Sequence, residues 1–407
     1  MRLGNMKNIL LWGAVTAVTA SCNGEKDVKM GTYAYDAQFL TEHGVEYKEL
    51  VSADGNAKVM VIPAWQGRVM TTTASGDEGD SYGWINYRFI EEGKVNPQFN
   101  PVGGEERFWL GPEGGPFSLY FKEGAEQVYD NWLVPPVIDT EAYKVEQENS
   151  SSIRFVKDTQ VQNASGTTFN IHIDRAVSLM DRDEVAAEYG IELGHDMKVV
   201  AYKSDNKITN TGTEAWTKET GLVSVWMLSH FNPTPTTTVF IPYNQEAEGR
   251  IVNDEYFGKI PADRLVAENG ILYFKIDGKW RSKLGMPAGR AVGICGSYDS
   301  SKGVLTILSC KLPEGPASYV NGQWGEQEDP FAGDVINAYN DGPLADGSIM
   351  GPFYEIETSS PGAELVPGAS LVHSQKVVHI QGNEKDLAPI VKKVFGADLN
   401  VIKVKFQ

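Results

Sequence analysis

The sequence predicts an all-β protein built as one large antiparallel sandwich. Short apolar or alternating runs recur along the chain with turn-rich segments such as Ser75-Gly76-Asp77-Glu78-Gly79 and Asn163-Ala164-Ser165-Gly166 between them, the pattern of strands joined by tight connections. Helical periodicity is nearly absent until the end of the chain. Aromatic residues make up 10% of the chain, with 9 Trp and 17 Tyr, and such side chains favour pleated, half-buried surfaces.

In order, the runs read as strands are Lys58–Ile62, Gly67–Thr73, Phe117–Lys122, Ile153–Val156, Phe169–Val177, Leu222–Phe231, Ile271–Ile276, Gly293–Tyr298, Val304–Cys310, Phe353–Thr358 and Leu371–Ile380. One C-terminal helix follows: Asn383 caps it, Leu387, Ile390, Val391, Val394 and Phe395 share a face, and Gly396 stops it. No repeat of 20–50 residues and no linker after residue 32 is visible, so residues 33–407 are assigned to a single domain.

The N-terminus reads as an address. Arg2 and Lys7 precede an apolar stretch from Ile9 to Ala20, and Thr19-Ala20-Ser21-Cys22 places small residues directly before a cysteine. A basic start, an apolar segment and small residues make a signal peptide over residues 1–21. The terminal Cys22 is similar to the acylated cysteine of bacterial lipoproteins, with residues 22–32 as a tether. The expectation is an exported protein, lipid-anchored to the outer membrane of a bacterial envelope. The net charge of −18 repels phosphate backbones, which argues against nucleic acid as a partner.

Most catalytic motifs fail on context. Gly79-Asp80-Ser81-Tyr82-Gly83 spells a nucleophile elbow, but a polar loop precedes it and alternating Trp84-Ile85-Asn86-Tyr87 follows, so no strand–turn–helix supports it. There is no phosphate-binding glycine loop, no helical His pair and no CxxC. His373 and His379 share a strand face without acidic neighbours in that strand, which favours structural roles over zinc. No cofactor or metal is assigned, and oxygen-ligated calcium stays open. Cys295 faces a residue near Ile307, three short of Cys310, so both are read as small buried hydrophobes.

Three segments carry chemistry. Arg107, Trp109 and Glu113 lie in the Gly-rich stretch 103–115, which is read as a loop. An indole face suits a sugar ring, and Arg and Glu bond hydroxyls. Trp226, Leu228 and His230 share one face of a strand. In Pro352-Phe353-Tyr354-Glu355-Ile356-Glu357-Thr358, Glu355 and Glu357 project the same way. Two close carboxylates force their pKa values apart, a basis for proton transfer.

Ile356-Glu357-Thr358-Ser359-Ser360-Pro361, then Leu365-Val366-Pro367-Gly368 and a final strand through His373, resemble aldose 1-epimerases (galactose mutarotases). The early strand Ile62–Thr73 with Gly67-Arg68 adds to the likeness, which runs closest to lipoproteins of uncharacterised function within that family. The resemblance implies a β-supersandwich with a concave sugar-binding face. It makes Glu357 the general base at the anomeric hydroxyl. This chain has Glu113-Gly114-Gly115 where mutarotases carry His-Gly-Gly, and no His between Asn210 and Val225 where they carry the acid. Glu113 or His230 is then the candidate acid, with Arg107, Trp109, Tyr354 and Glu355 as substrate-binding residues and carbohydrate as the partner. Two functions remain: an enzyme acting at the anomeric centre of a sugar or glycan end, and a non-catalytic glycan-binding lipoprotein of the same fold.

Overall fold

The computed structural model describes residues 28–407. The expected signal peptide and Cys22 lie outside the described residues. Eighteen strands follow in chain order: β1 (Lys48–Val51), β2 (Lys58–Ile62), β3 (Arg68–Thr73), β4 (Arg107–Gly111), β5 (Lys144–Glu148), β6 (Ser152–Gln162), β7 (Thr168–Met180), β8 (Lys198–Asn210), β9 (Ser224–Phe231), β10 (Thr237–Pro242), β11 (Leu265–Glu268), β12 (Ile271–Lys275), β13 (Ser282–Pro287), β14 (Ile294–Asp299), β15 (Val304–Cys310), β16 (Asp334–Asn340), β17 (Tyr354–Ser359) and β18 (Ser370–Gln381). The helices are α1 (Tyr33–Glu42), α2 (Tyr87–Glu92), α3 (Arg182–Tyr189), α4 (Glu384–Phe395) and α5 (Leu399–Val404).

These strands make the expected antiparallel sandwich. A ten-stranded sheet runs β11-β12-β10-β14-β15-β18-β8-β7-β6-β5, a five-stranded sheet runs β13-β16-β17-β9-β4, and β1-β2-β3 form a smaller sheet. Alternation sorts each long strand into faces: along β7 every second residue from Phe169 to Val177 is buried, which is why a polar-looking strand packs a core. One apolar core joins residues of all three sheets, among them Val61, Phe108, Ile208, Met227, Ile356 and Val377. A second core seats α4 and α5 on the ten-stranded sheet through Leu387, Ile390, Phe395 and Ile402 against Phe240, Ile307 and Val378.

Charge is buried between the sheets as well. Glu106 accepts from Arg175 at 2.7 Å, Gln375 at 2.7 Å and Ser204 at 3.0 Å, and neither side chain of the Glu106–Arg175 pair is exposed. Such a pair is tolerable in a low-dielectric interior only because nearly every lone pair and proton is used. Thr358 on β17 bonds His373 at 2.8 Å and Gln375 at 2.7 Å on β18, linking the sheets directly.

Several expectations need correction. The C-terminal helix has Asn383 and Gly396 as its caps, but α5 follows it, so the end of the chain carries two helices. Three more lie earlier. α3 is fixed by a reciprocal capping box between Asp181 and Glu184 and ends on Gly190. Phe117–Lys122 is no strand, because its backbone bonds go to scattered partners and not to one neighbouring strand: Ser118 O accepts from the Ala164 amide at 2.8 Å, Tyr120 O from the Leu133 amide at 2.9 Å, and the Leu119 amide donates to Pro112 O at 3.0 Å. Conversely, residues 107–111 form a strand and not a loop. Cys295 opposes Leu308, one step from the expected register, and both Cys295 and Cys310 are free thiols. His379 does have an acidic neighbour, Glu105 at 3.0 Å, supplied by another segment. Ser81 hydrogen-bonds Thr71 at 2.5 Å and also the Asp36 carboxylate, and no helix begins directly at it, α2 starting only at Tyr87.

Candidate functional site

The five-stranded sheet gathers the predicted residues by register. In one row Lys283 opposes Tyr339, Tyr339 opposes Glu355, and Glu355 opposes His230. In the next, Gly285 opposes Asn337, Asn337 opposes Glu357, Glu357 opposes Leu228, and Leu228 opposes Arg107. Directly opposed residues in antiparallel strands project to the same side, so Lys283, Glu355, Glu357, His230 and Arg107 share the face away from the inter-sheet core. Tyr354, Ile356 and Thr358 take the other face. Tyr354 therefore points to the core and away from the glutamates: its hydroxyl is 2.7 Å from Ser297 Oγ and its ring packs on Phe231.

Different partners surround the two glutamates. Glu355 meets the Arg107 guanidinium at 3.2 Å and the His230 Nε2. Burial pushes its pKa up, but His230 and Arg107 outweigh that and hold it down at about 2. Glu357 is fully buried and accepts from Trp226 Nε1 at 2.8 Å and Lys283 Nζ at 3.0 Å. Burial pushes it up, Lys283 pulls it back, Glu355 adds repulsion, and the carboxyl ends at about 7. The two carboxyl groups are thus pushed in opposite directions, Glu355 toward the ionised form and Glu357 toward the protonated one.

His230 is engaged on both ring nitrogens. Nδ1 lies 3.0 Å from Gly104 O and Nε2 faces Glu355. Both are acceptors, and burial outweighs the attraction of Glu355 so that the imidazole pKa lies below its ordinary value. This is a positioning arrangement for Glu355, and it leaves His230 without a free N–H to serve as the acid. The Gly104 carbonyl is set by a φ of +114°, where a side chain is both strained and blocked, since a Cβ would come within 2.5 Å of Arg68.

Glu113 is half-buried. Burial raises its pKa; the Lys283 ammonium and a hydrogen bond with the Trp324 side chain oppose the rise without cancelling it. Lys283 is in turn kept charged: burial disfavours the ammonium, but Glu357, Glu113 and Glu355 more than compensate. Its ammonium also stands over the rings of Trp226 at 4.9 Å and Tyr256 at 5.6 Å. The Arg107 guanidinium lies 4.1 Å from the centre of the Trp109 ring, a cation–π contact.

Among the described residues, Glu357 Oε1, Arg107 Nε, Trp109 Nε1 and Asp334 Oδ1 are buried without a hydrogen-bond partner. Each such atom costs about 1–3 kcal/mol, and their gathering on one sheet face marks polar capacity the fold leaves unused. Asp334 bonds Tyr256 at 2.7 Å through its other oxygen, which lies where a Cβ on Gly285 would stand. No group of three or more His, Cys, Asp and Glu side chains among the described residues is placed to hold a metal ion.

The site differs from the sequence reading in two ways. The expected open hollow is instead closed over: Glu355 is 7% exposed and Glu357 not at all, with Lys283 and Trp226 on the latter. Lys283, Asn337, Tyr256 and Asp334 were not foreseen. Lys283 sits in Ser282-Lys283-Leu284-Gly285-Met286-Pro287, where Gly and Pro mask a strand; the alternation of Lys283 with buried Leu284 is the one signal that exposes it.

The chain matches a family of unknown function (DUF6786) over residues 31–406, and it belongs to that family. No curated protein matches it. Among solved structures it is similar to the Slr1438 protein of Synechocystis, at 12% identity and a TM-score of 0.52, covering 83% of this chain and 96% of that one. It also matches a galactose mutarotase-like protein from Lactobacillus casei (12% identity, TM-score 0.47, 82% and 100% covered). A galactose mutarotase related enzyme from Lactobacillus acidophilus matches as well (8% identity, TM-score 0.46, 82% and 97% covered). At these identities the likeness concerns the arrangement of strands and nothing finer.

Proposed function

We propose that this protein binds a sugar or the end of a glycan on the five-stranded sheet and moves a proton at its anomeric centre. The observation that carries the reading is the pair Glu355 and Glu357: same chemistry, same face, opposite protonation behaviour, with Glu357 poised at about 7. A general base works best with its pKa near the working pH.

In this reading Glu357 takes the proton from the anomeric hydroxyl while Glu113, whose protonated form burial favours, gives one to the ring oxygen. The bond between the anomeric carbon and the ring oxygen breaks, the anomeric carbon becomes an aldehyde, and reclosure on its other side yields the second anomer. Both carboxyl groups then recover their starting states by the reverse transfers. Glu355, fixed by Arg107 and His230, accepts from sugar hydroxyls. Lys283 releases Glu357 as the substrate enters and holds the substrate's oxygens. Export and a lipid anchor at Cys22 belong to the same proposal and place the protein where envelope glycans are met.

A second reading, glycan binding without turnover, draws on the closure of Glu357 under Lys283. The test uses a panel of reducing sugars including glucose, galactose and mannose, with saturation-transfer NMR for binding and exchange spectroscopy for anomer interconversion. Glu357→Gln is expected to cut interconversion by about 10²–10⁴-fold and to leave binding within a few-fold. Binding with no acceleration in the unmodified protein selects the second reading, and no binding of any sugar defeats both.

A further inference from the structure

A run of aromatic rings leads outward from the carboxylates. Trp109, under Arg107, packs on Trp132 at 6.4 Å between ring centres. Trp132 stacks with Tyr120 at 6.0 Å, with Tyr129 at 6.0 Å and with Trp324 at 6.2 Å, their planes inclined by 8°, 20° and 28°. The outer members reach solvent: Tyr129 is 61% exposed, Trp324 37% and neighbouring Leu133 37%. Exposed apolar side chains are ordinary when single, but a contiguous stacked group is the form a recognition surface takes.

This surface is continuous with the site. The Gln127 side chain accepts from the amides of Gly115 at 2.9 Å and Gly325 at 2.8 Å and donates to Gly115 O at 2.8 Å, tying the Glu113 loop to the Trp324 loop. Trp109 and Trp132 each keep a buried ring N–H with no partner, two donors left beside the stacked faces. A cavity of about 530 Å³ adjoins, bounded by Tyr120, Phe121 and Leu133 on the apolar side and by Thr159, Gln160 and Asn163 on the polar side. That volume falls within the range of organic ligand sites. Lys122, Glu123 and Glu141 also line it, and ring faces beside neutral and charged hydrogen-bonding groups suit polyols.

Resting on the reading of the site given above, we infer that the ligand is a neutral oligosaccharide, its end at the carboxylates and its further rings lying along the exposed Tyr129 and Trp324, which buried Trp132 backs. Flat aromatic faces meet the apolar C–H faces of sugar rings, and the chain's net charge of −18 disfavours anionic glycans.

Titration calorimetry with glucose, galactose and malto-, cello- and β-1,4-galacto-oligosaccharides of two to five units tests this. At least one series is expected to gain about tenfold in affinity by four units, the size of one or two stacking contacts. Tyr129→Ala should remove most of that gain while leaving monosaccharide affinity unchanged, and Tyr129→Phe, which keeps the ring, should restore it. Monosaccharide binding with no dependence on length, or a length dependence indifferent to Tyr129→Ala, overturns the inference while sparing the site. Oligosaccharides that bind and respond to Tyr129→Ala with no anomer exchange support the inference and count against turnover alone. Self-association in sedimentation that disappears in Tyr129→Ala, with no sugar affinity affected, assigns the surface to a second copy of the chain and overturns the inference.

Discussion

Glu355 and Glu357 differ in nothing but their neighbours. His230 and Arg107 keep the first ionised; an indole N–H and one ammonium only partly offset burial for the second. With Glu357 as the base, kcat/KM should rise with pH through about 7. Lys283→Met removes the cation that favours the charged carboxylate, so this limb should move to higher pH by about one unit, read in a pH–rate profile; an unmoved limb contradicts the role given to Lys283. Stability follows Glu355 in a more acidic window. Its folded pKa lies below the ordinary 4.5, so its contribution is complete above that value and is lost as pH falls toward about 2. In thermal melts, Glu355→Gln should therefore show a smaller loss than the unmodified protein between pH 5 and 3.

Strand and helix behaviour depends on what each element buries. Removing one partner of a fully buried ion pair strands the other charge, so Arg175→Met should cost about 3–5 kcal/mol in denaturant unfolding. Asn383→Ala removes a cap that accepts from the Asp386 amide and should cost about 1 kcal/mol. The same distinction explains which elements were legible. β15 and β2 are apolar runs with unambiguous ends, and their spans were read as they stand. β8 reads Lys198-Val-Val-Ala-Tyr-Lys-Ser-Asp-Asn-Lys-Ile-Thr-Asn and was missed, because its polar residues include Ser204 and Asn206, which are buried and satisfied by Glu106, Arg175 and His373. Polar side chains that pair across sheets carry no local sign of burial. α3 was missed too: its capping residues Asp181 and Glu184 and its stop at Gly190 are its sign in the sequence, and its periodicity is weak.

At the scale of the molecule, the site is an outcome of topology. Arg107 and Glu355 lie 248 residues apart in sequence and meet at 3.2 Å; Lys283 and Glu357 are separated by 74 residues. Pattern within a strand revealed that Glu355 and Glu357 share a face, but only the order β13-β16-β17-β9-β4 brings Lys283 and Arg107 to them from the two sheet edges. Sequence likewise placed Tyr354 beside the glutamates while the pleat sends it to the core. The thiols give a prediction at this scale: with Cys295 and Cys310 unbridged, a reducing agent should leave the melting temperature within about 1 °C, a change well under the several degrees that a lost disulfide brings.

The account stands or falls on where a sugar ring sits. A crystal structure of Glu357→Gln soaked with a reducing sugar selected from the binding panel should show the anomeric hydroxyl within hydrogen-bonding distance of the residue 357 side chain, with Glu355 on a neighbouring hydroxyl. A ring bound with its anomeric carbon remote from the β17 side chains, or a site that admits no sugar at saturating concentration, would contradict it.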